Sequence, residues 1–195
     1  MPVKTFLPET IAFLQKNHPI TDEEIRQLEN ISFRKSYPKK SVIVQQGEVQ
    51  TDLLFVRSGV QINFVETERK LAVGAFYYAP SLCFVPNSFY HQVPSPFVLQ
   101  CLTDSEFDAV PFPDLQAAFD KFPNIERLFR KISERITVGL IQRQVALQTQ
   151  SIEERFRAFC ARSPHLLQMV PHKYIATYLN IDPTNFSKLY NGVRV

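Results

Sequence analysis

Between Ile31 and about Phe112 the apolar positions fall in short runs rich in Val, Ile, Phe and Tyr, separated by turn residues: 41–46, 52–57, 60–66, 70–76, 97–102 and 106–112. Runs at this spacing with no helical stretch between them predict an antiparallel sandwich or jelly roll. On both sides the period lengthens to that of a helix. Upstream, a helical segment over about residues 5–16 is followed by one that Thr21 and Glu24 open as a capping box, with Ile25 and Leu28 on its apolar side. Downstream, Asp114 to Lys121 is a short helical piece, and a long helix starts at Pro123 and runs to about Thr149. Its apolar residues Ile125, Phe129, Ile132, Ile136, Leu140 and Leu147 follow one another at steps of 4, 3, 4, 4 and 7. Such a stripe along about 39 Å of helix, with Arg127, Arg130, Arg135 and Arg143 on other sides, reads as a coiled-coil seam. The alternative is that it packs only on its own sheets. Ser151 and Glu154 form a second capping box, so a new helix begins there.

The stretch from Val170 to Leu189 reads as two short helices joined by a tight turn. Pro171 suits a first helical position, and Ile175, Ala176 and Leu179 make a buried stripe. Asn180 tolerates the left-handed conformation that ends helices. Asp182 and Pro183 then supply an N-cap and a first residue without a donor to orphan. Phe186 and Leu189 form the second buried side, and the small Ala176 permits a close crossing. That is helix-turn-helix spacing, and the outward face of the second helix carries Thr184, Asn185, Ser187 and Lys188, which can address base edges in a major groove.

Charge strengthens this reading. Residues 1–119 hold 10 Lys and Arg against 13 Asp and Glu, whereas residues 120–195 hold 12 against 6, so the chain's net charge of +3 hides a basic C-terminal part. A polyanion is the partner such polarity favours. With 195 residues and 45% hydrophobic content the chain can bury a real core. No apolar run reaches the roughly eighteen residues of a membrane span, and Lys4, Pro8 and Glu9 interrupt the N-terminus, so neither a span nor a secretory signal is expected and the protein is placed in the cytoplasm. Cys83, Cys101 and Cys160 lack any C-x-x-C spacing, which fits reduced thiols and gives no zinc or iron–sulfur site.

The segment from Val42 to Phe64 reverses at Gly47 and Gly59 between alternating runs. Together with Ser88-Phe89, Pro94-Ser95, the approach from Leu102 to Val110, Asp114-Leu115, the long helix and the helix pair, it resembles the Crp/Fnr family of bacterial transcription regulators over about residues 30–191. The resemblance implies an α+β protein with an antiparallel jelly roll like cyclic-nucleotide-binding domains, a long dimerisation helix and a C-terminal helix-turn-helix. It divides the chain into N-terminal helices and a sensor over 1–119, a dimerisation helix over 120–149 and a DNA-binding part over 150–195. It also implies a homodimer on double-stranded DNA, with Ile125, Phe129, Ile132, Ile136 and Leu140 at the dimer seam and Gly139 letting a partner approach.

Departures from the family are equally informative. Members that bind cyclic nucleotides use a Gly-Glu pair for the ribose and an Arg followed by Ser or Thr for the cyclic phosphate, because a buried anion needs a charged donor. Here Pro96 stands where that Arg belongs, and no Gly-Glu occurs between Phe76 and Phe89. Cyclic nucleotide binding is not expected. Phe76, Tyr78, Phe84, Phe89 and Phe97 either line an apolar pocket for an unknown effector or form core, and core is the favoured reading. At the other end, an Arg near Lys188, a Glu near Thr184 and the wing that usually follows the second helix are missing, the chain ending at Val195. The alternative function is thus a dimeric module, derived from a regulator, that binds protein partners. Enzyme readings find no support. Of His18, His91, His165 and His172 only His91 lies in the jelly roll, so a cupin-like metal has no ligand set, and neither G-x-S-x-G nor a Gly-rich phosphate loop occurs. No cofactor and no metal are expected.

Overall fold

The alternating runs become strands and the predicted helical stretches become helices, but a short helix over Pro86–His91 interrupts the strand region, where no helical stretch is expected. The computed structural model describes residues 5–68 and 70–192. Two helices, α1 (Pro8–Asn17) and α2 (Asp22–Asn30), precede strands β1 (Phe33–Tyr37), β2 (Val42–Val44), β3 (Asp52–Ser58), β4 (Val60–Glu66), β5 (Leu71–Tyr78) and β6 (Leu82–Cys83). A short helix α3 (Pro86–His91), strands β7 (Val98–Cys101) and β8 (Ser105–Pro111), and helices α4 (Phe112–Lys121) and α5 (Pro123–Thr149) follow. The chain continues through α6 (Ile152–Arg162), α7 (Leu166–Met169), α8 (His172–Leu179) and α9 (Pro183–Gly192). It divides into two compact units, Met1–Asn63 with Phe76–Arg135, and Phe64–Ala75 with Ile136–Val195.

The strands form two four-stranded sheets, β1-β8-β3-β6 and β2-β7-β4-β5. The pairings β1 with β8, β3 with β8, β3 with β6 and β2 with β7 are antiparallel, as a jelly roll requires. Both sheets feed one core: Val44, Leu99 and Cys101 from one meet Leu54, Val56, Cys83, Phe107 and Ala109 from the other. The three cysteines are free thiols, and burial pushes those of Cys83 and Cys101 above the usual range, so they act as small hydrophobes.

Strand β1 was not legible as a strand because Arg34, Lys35 and Ser36 interrupt its apolar content. Their partners lie across the sheet. Arg34 pairs with Asp108 at 2.9 Å and Lys35 with Asp52 at 2.5 Å. Asp108 is 3% exposed, and Arg57 meets its other oxygen at 2.8 Å, so two guanidinium groups offset the cost of burying it. An edge strand dressed with charge is also protected against pairing with foreign strands.

Helix α2 starts at the Thr21–Glu24 capping box, with both reciprocal bonds made. Asn124, at the start of α5, joins it: its amide donates to Glu24 Oε2 and the Pro19 carbonyl, and its Oδ1 lies 2.7 Å from His18 Nε2. The first half of α5 turns Ile125, Leu128, Phe129 and Ile132 into the core of the first unit, where Phe129 packs edge-on to Phe55 and tilted against Phe119. This corrects the expected seam. Ile125, Phe129 and Ile132 are at most 4% exposed and have spent their apolar surface inside their own chain.

Gly47 and Gly59 both take positive φ, +90° and +84°. Their surroundings differ. A Cβ on Gly59 would sit 2.4 Å from both the Asp104 carbonyl oxygen and Ser105 Oγ, whereas one on Gly47 meets nothing within 4 Å. Gly47→Ala should therefore cost only the left-handed strain, about 1–2 kcal/mol, and Gly59→Ala should cost on the order of 3 kcal/mol or more because backbone must move. Urea unfolding of the two variants measures this, and equal losses would contradict it.

Candidate nucleic-acid interface

The geometry of α8 and α9 follows from the residues between them. Pro171 is the N-cap of α8 rather than its first helical residue, with φ −56° and ψ 127°. Ile175, Ala176 and Leu179 are buried, as their spacing predicts. Asn180 then adopts φ 51° and ψ 50°, and the Ile181 N–H donates to the Ala176 carbonyl at 2.9 Å, which closes the helix end in the Schellman manner. Ile181 is itself buried. One residue later Asp182 Oδ1 accepts from the backbone N–H groups of Thr184 at 2.8 Å and Asn185 at 3.4 Å, so α9 begins where Asp182 and Pro183 predict.

Behind the pair, Phe186 is 1% exposed and packs edge-on to Phe156 of α6 and against His172 of α8. Leu189 is only half-buried, because Tyr190 takes part of the expected slot, stacking on Phe186 and lying 4.3 Å from His172. Helix α6 starts at the Ser151–Glu154 capping box, and its Arg155 spans the ends of two other helices. Arg155 Nε donates to the Leu179 carbonyl at 3.0 Å, one terminal nitrogen to Asn180 at 3.2 Å and the other to Gln150 at 2.5 Å. A cation on helix C-terminal carbonyls is favoured by both hydrogen bonding and the helix dipole. Sequence reading missed this role, whose only signal was an Arg four residues after a cap.

Thr184, Asn185, Ser187 and Lys188 are all exposed on the outer side of α9. Ser187 Oγ donates back to the Pro183 carbonyl at 3.0 Å. Lys188 forms no ion pair among the described residues. Across residues 136–192 six Lys and Arg face three Asp and Glu, so this part stays basic. The final three residues, where the expected truncation of the wing falls, lie outside the described residues.

Of the five aromatic pocket candidates, Phe84 and Phe89 pack against each other. Phe84 and Phe89 are buried and meet edge-on, and Tyr90 and Phe112 join them at ring separations of 5.4 to 5.8 Å. Phe97 and Tyr77 both pack against the core shared by the two sheets. Phe76 and Tyr78 alternate with Tyr77 along β5 and so belong to its opposite face. Several polar groups nearby are bonded internally: the Tyr77 hydroxyl donates to the Phe84 carbonyl and accepts from the Asn63 amide, and Gln50 bridges Asp52, Cys83 and Val85, whereas the buried Asn63 Oδ1 has no partner among the described residues. Ser95 is tied by backbone bonds to Gly47 and Glu48, and Pro96 beside it is exposed.

Of the remaining seam candidates, Ile136 is half-buried and Leu140 is 54% exposed. The exposed apolar residues of α5 are Leu140 with Val138, Ile141 and Val145, the last three at steps of 3 and 4. The sequence carried this second stripe, which is rotated from the one that continues Ile125, Phe129 and Ile132. Among the described residues no group of three or more His, Cys, Asp or Glu is placed to hold a metal ion, and no helix is long and apolar enough to cross a membrane.

No protein-family model matches the chain, and no curated protein matches its sequence. Solved structures do match. FixK2 from Bradyrhizobium japonicum superposes with a TM-score of 0.71 at 14% identity, covering 83% of this chain and 83% of that one. The c-di-GMP responsive global regulator CLP of Xanthomonas campestris gives 0.64 at 15% identity, covering 88% and 90%. The catabolite activator protein of Thermus thermophilus gives 0.58 at 19% identity, covering 91% and 84%. At these identities the likeness is one of fold. The chain has the α+β fold of the Crp/Fnr-type regulators, along nearly its whole length.

Proposed function

We propose that this chain is a transcription regulator of Crp/Fnr type, a cytoplasmic homodimer that binds double-stranded DNA through α9 and is not an enzyme. In this reading residues 1–119 are the sensor part, 120–149 carry dimerisation and 150–195 bind DNA. One observation carries it: a tightly specified turn, with Asn180 left-handed and Asp182 capping, presents Thr184, Asn185, Ser187 and Lys188 outward on a basic unit. Asn185 has the donor and acceptor pair that reads adenine, and Lys188 can reach a guanine edge or a phosphate. The described structural neighbours include a global regulator and a catabolite activator, which supports the regulatory class.

Dimerisation would use the second half of α5. Val138, Leu140, Ile141 and Val145 expose apolar surface on a helix whose first half is already packed, and a second copy is the occupant that coiled-coil spacing favours. The sensor part would not take cyclic nucleotides, because Phe84, Phe89, Tyr90 and Phe112 pack ring to ring and Pro96 brings no charge. The second reading, a dimeric module for protein partners, draws on one feature: the outer face of α9 has a single charge, and its Ser187 hydroxyl is already engaged.

Lys188→Ala separates modes of DNA contact. A base contact should cost about 1–3 kcal/mol on the preferred sequence and relax preference at one position. A phosphate contact should instead weaken all sequences alike and lower the salt slope by about 1 per protomer. Absence of any effect in fluorescence anisotropy across salt concentrations would favour the protein-partner reading. Val138→Asp with Ile141→Asp should yield folded monomers in sedimentation velocity, and an unchanged dimer would remove these residues from the seam. Calorimetric titration with cyclic AMP or cyclic GMP should give no heat of binding, and micromolar affinity for either would overturn the account of the sensor.

A further inference from the structure

A cavity of about 280 Å³ opens within the second unit between α5, α6 and α8. Arg143, Arg155 and Arg162 border it, and no Asp or Glu is among its lining residues. Its apolar side is formed by Ala146, Leu147, Ala158 and Phe159. Three guanidinium groups around one concavity without a carboxylate is an unbalanced arrangement, since like charges oppose one another and the cavity wall screens them less than open water does.

The three arginines are not equivalent. Arg155 spends its donors on helix-end carbonyls, as described above. Arg143 gives its terminal nitrogens to the carbonyls of Val73, Gly74 and Tyr178 and stacks over the Tyr178 ring at 4.0 Å. Its Nε, however, is buried and donates to nothing among the described residues. Burial, and after it the neighbouring charge of Arg162, pull the Arg143 pKa below the ordinary arginine value, while Tyr178 acts the other way. Arg162 is exposed, and its one hydrogen bond among the described residues is a long 3.4 Å contact to the Tyr178 hydroxyl. Positive charge, a buried donor without an acceptor and an apolar floor together describe a receptor for an anion that carries an apolar part.

We propose that this cavity binds a small organic anion, a carboxylate or phosphate monoester with an apolar body, and so gives the protein an effector site outside the jelly roll. Its volume lies just under the roughly 300–1,000 Å³ usual for small-ligand sites, which limits the ligand to a compact molecule. None of Thr184, Asn185, Ser187 and Lys188 lines it, so the site is separate from the outer face of α9. An anion there would add acceptors between α5 and the α6–α8 pair, and any difference in its affinity between free and DNA-bound protein must appear reciprocally as a change in DNA affinity.

The test is a titration of the ¹⁵N-labelled full chain with phenyl phosphate and, separately, inorganic phosphate, following arginine Nε–Hε resonances at constant ionic strength. Arg143 and Arg162 signals should shift saturably with phenyl phosphate at a Kd of about 1 mM or below, and inorganic phosphate should bind at least about tenfold more weakly because it leaves the apolar floor uncovered. Arg162→Gln and Ala158→Glu, both at exposed positions, should each weaken phenyl phosphate about tenfold with backbone spectra otherwise retained. Arg127→Gln should change nothing. The proposal is overturned if neither signal saturates, if Arg162→Gln binds like the parent, or if the two anions bind equally. It is also overturned if a DNA duplex displaces phenyl phosphate and Arg162→Gln lowers both affinities in parallel, because the cavity would then be part of the DNA-backbone contact.

Discussion

Three residues between α8 and α9 decide what the C-terminal part can offer a partner. Asn180 reverses the chain in the left-handed conformation, Ile181 returns its N–H to Ala176, and Asp182 supplies the first acceptor of α9. Each step satisfies groups that a helix end leaves orphaned, so the turn has little freedom to slide by one residue. Sliding would matter. Moving the start of α9 by a single position rotates its surface by about 100° and would exchange Phe186 for a polar neighbour on the buried side. Arg155 reinforces the same point from α6 by donating to Leu179 and Asn180, which makes the turn a junction of three helices.

In the jelly roll, several buried polar side chains are likewise tied to backbone groups. Gln50, Ser88 and Ser95 are buried polar residues, yet each is bonded to backbone of neighbouring loops. Aromatic rings fill the adjacent space. Helix α5 divides differently: its first half is committed to the first unit's core, and its second half leaves Val138, Ile141 and Val145 exposed.

Much of this was legible from spacing. Both capping boxes, the two positive-φ glycines, the extent of α5 and the turn at Asn180 follow from local rules whose physics involves neighbours within about five residues. What stayed hidden depends on distant partners. Strand β1 needs Asp108 and Asp52 to make sense of Arg34 and Lys35, and two-residue β6 has too little pattern to be seen. The stripe on α5 was read as one seam because periodicity identifies an apolar face without saying what covers it, and only the packing of Phe129 on Phe55 assigns its first half to the core. The Arg143 contacts join residues about seventy positions apart, beyond the reach of any local rule.

The central claim is that two copies of α9 read DNA together, and selection from a random duplex pool followed by hydroxyl-radical footprinting addresses it most directly. The account predicts an enriched sequence with two-fold symmetry, protected in two half-sites whose centres lie about 34 Å apart, one turn of the double helix. No enrichment at low salt, or a single unsymmetrical footprint, would contradict it.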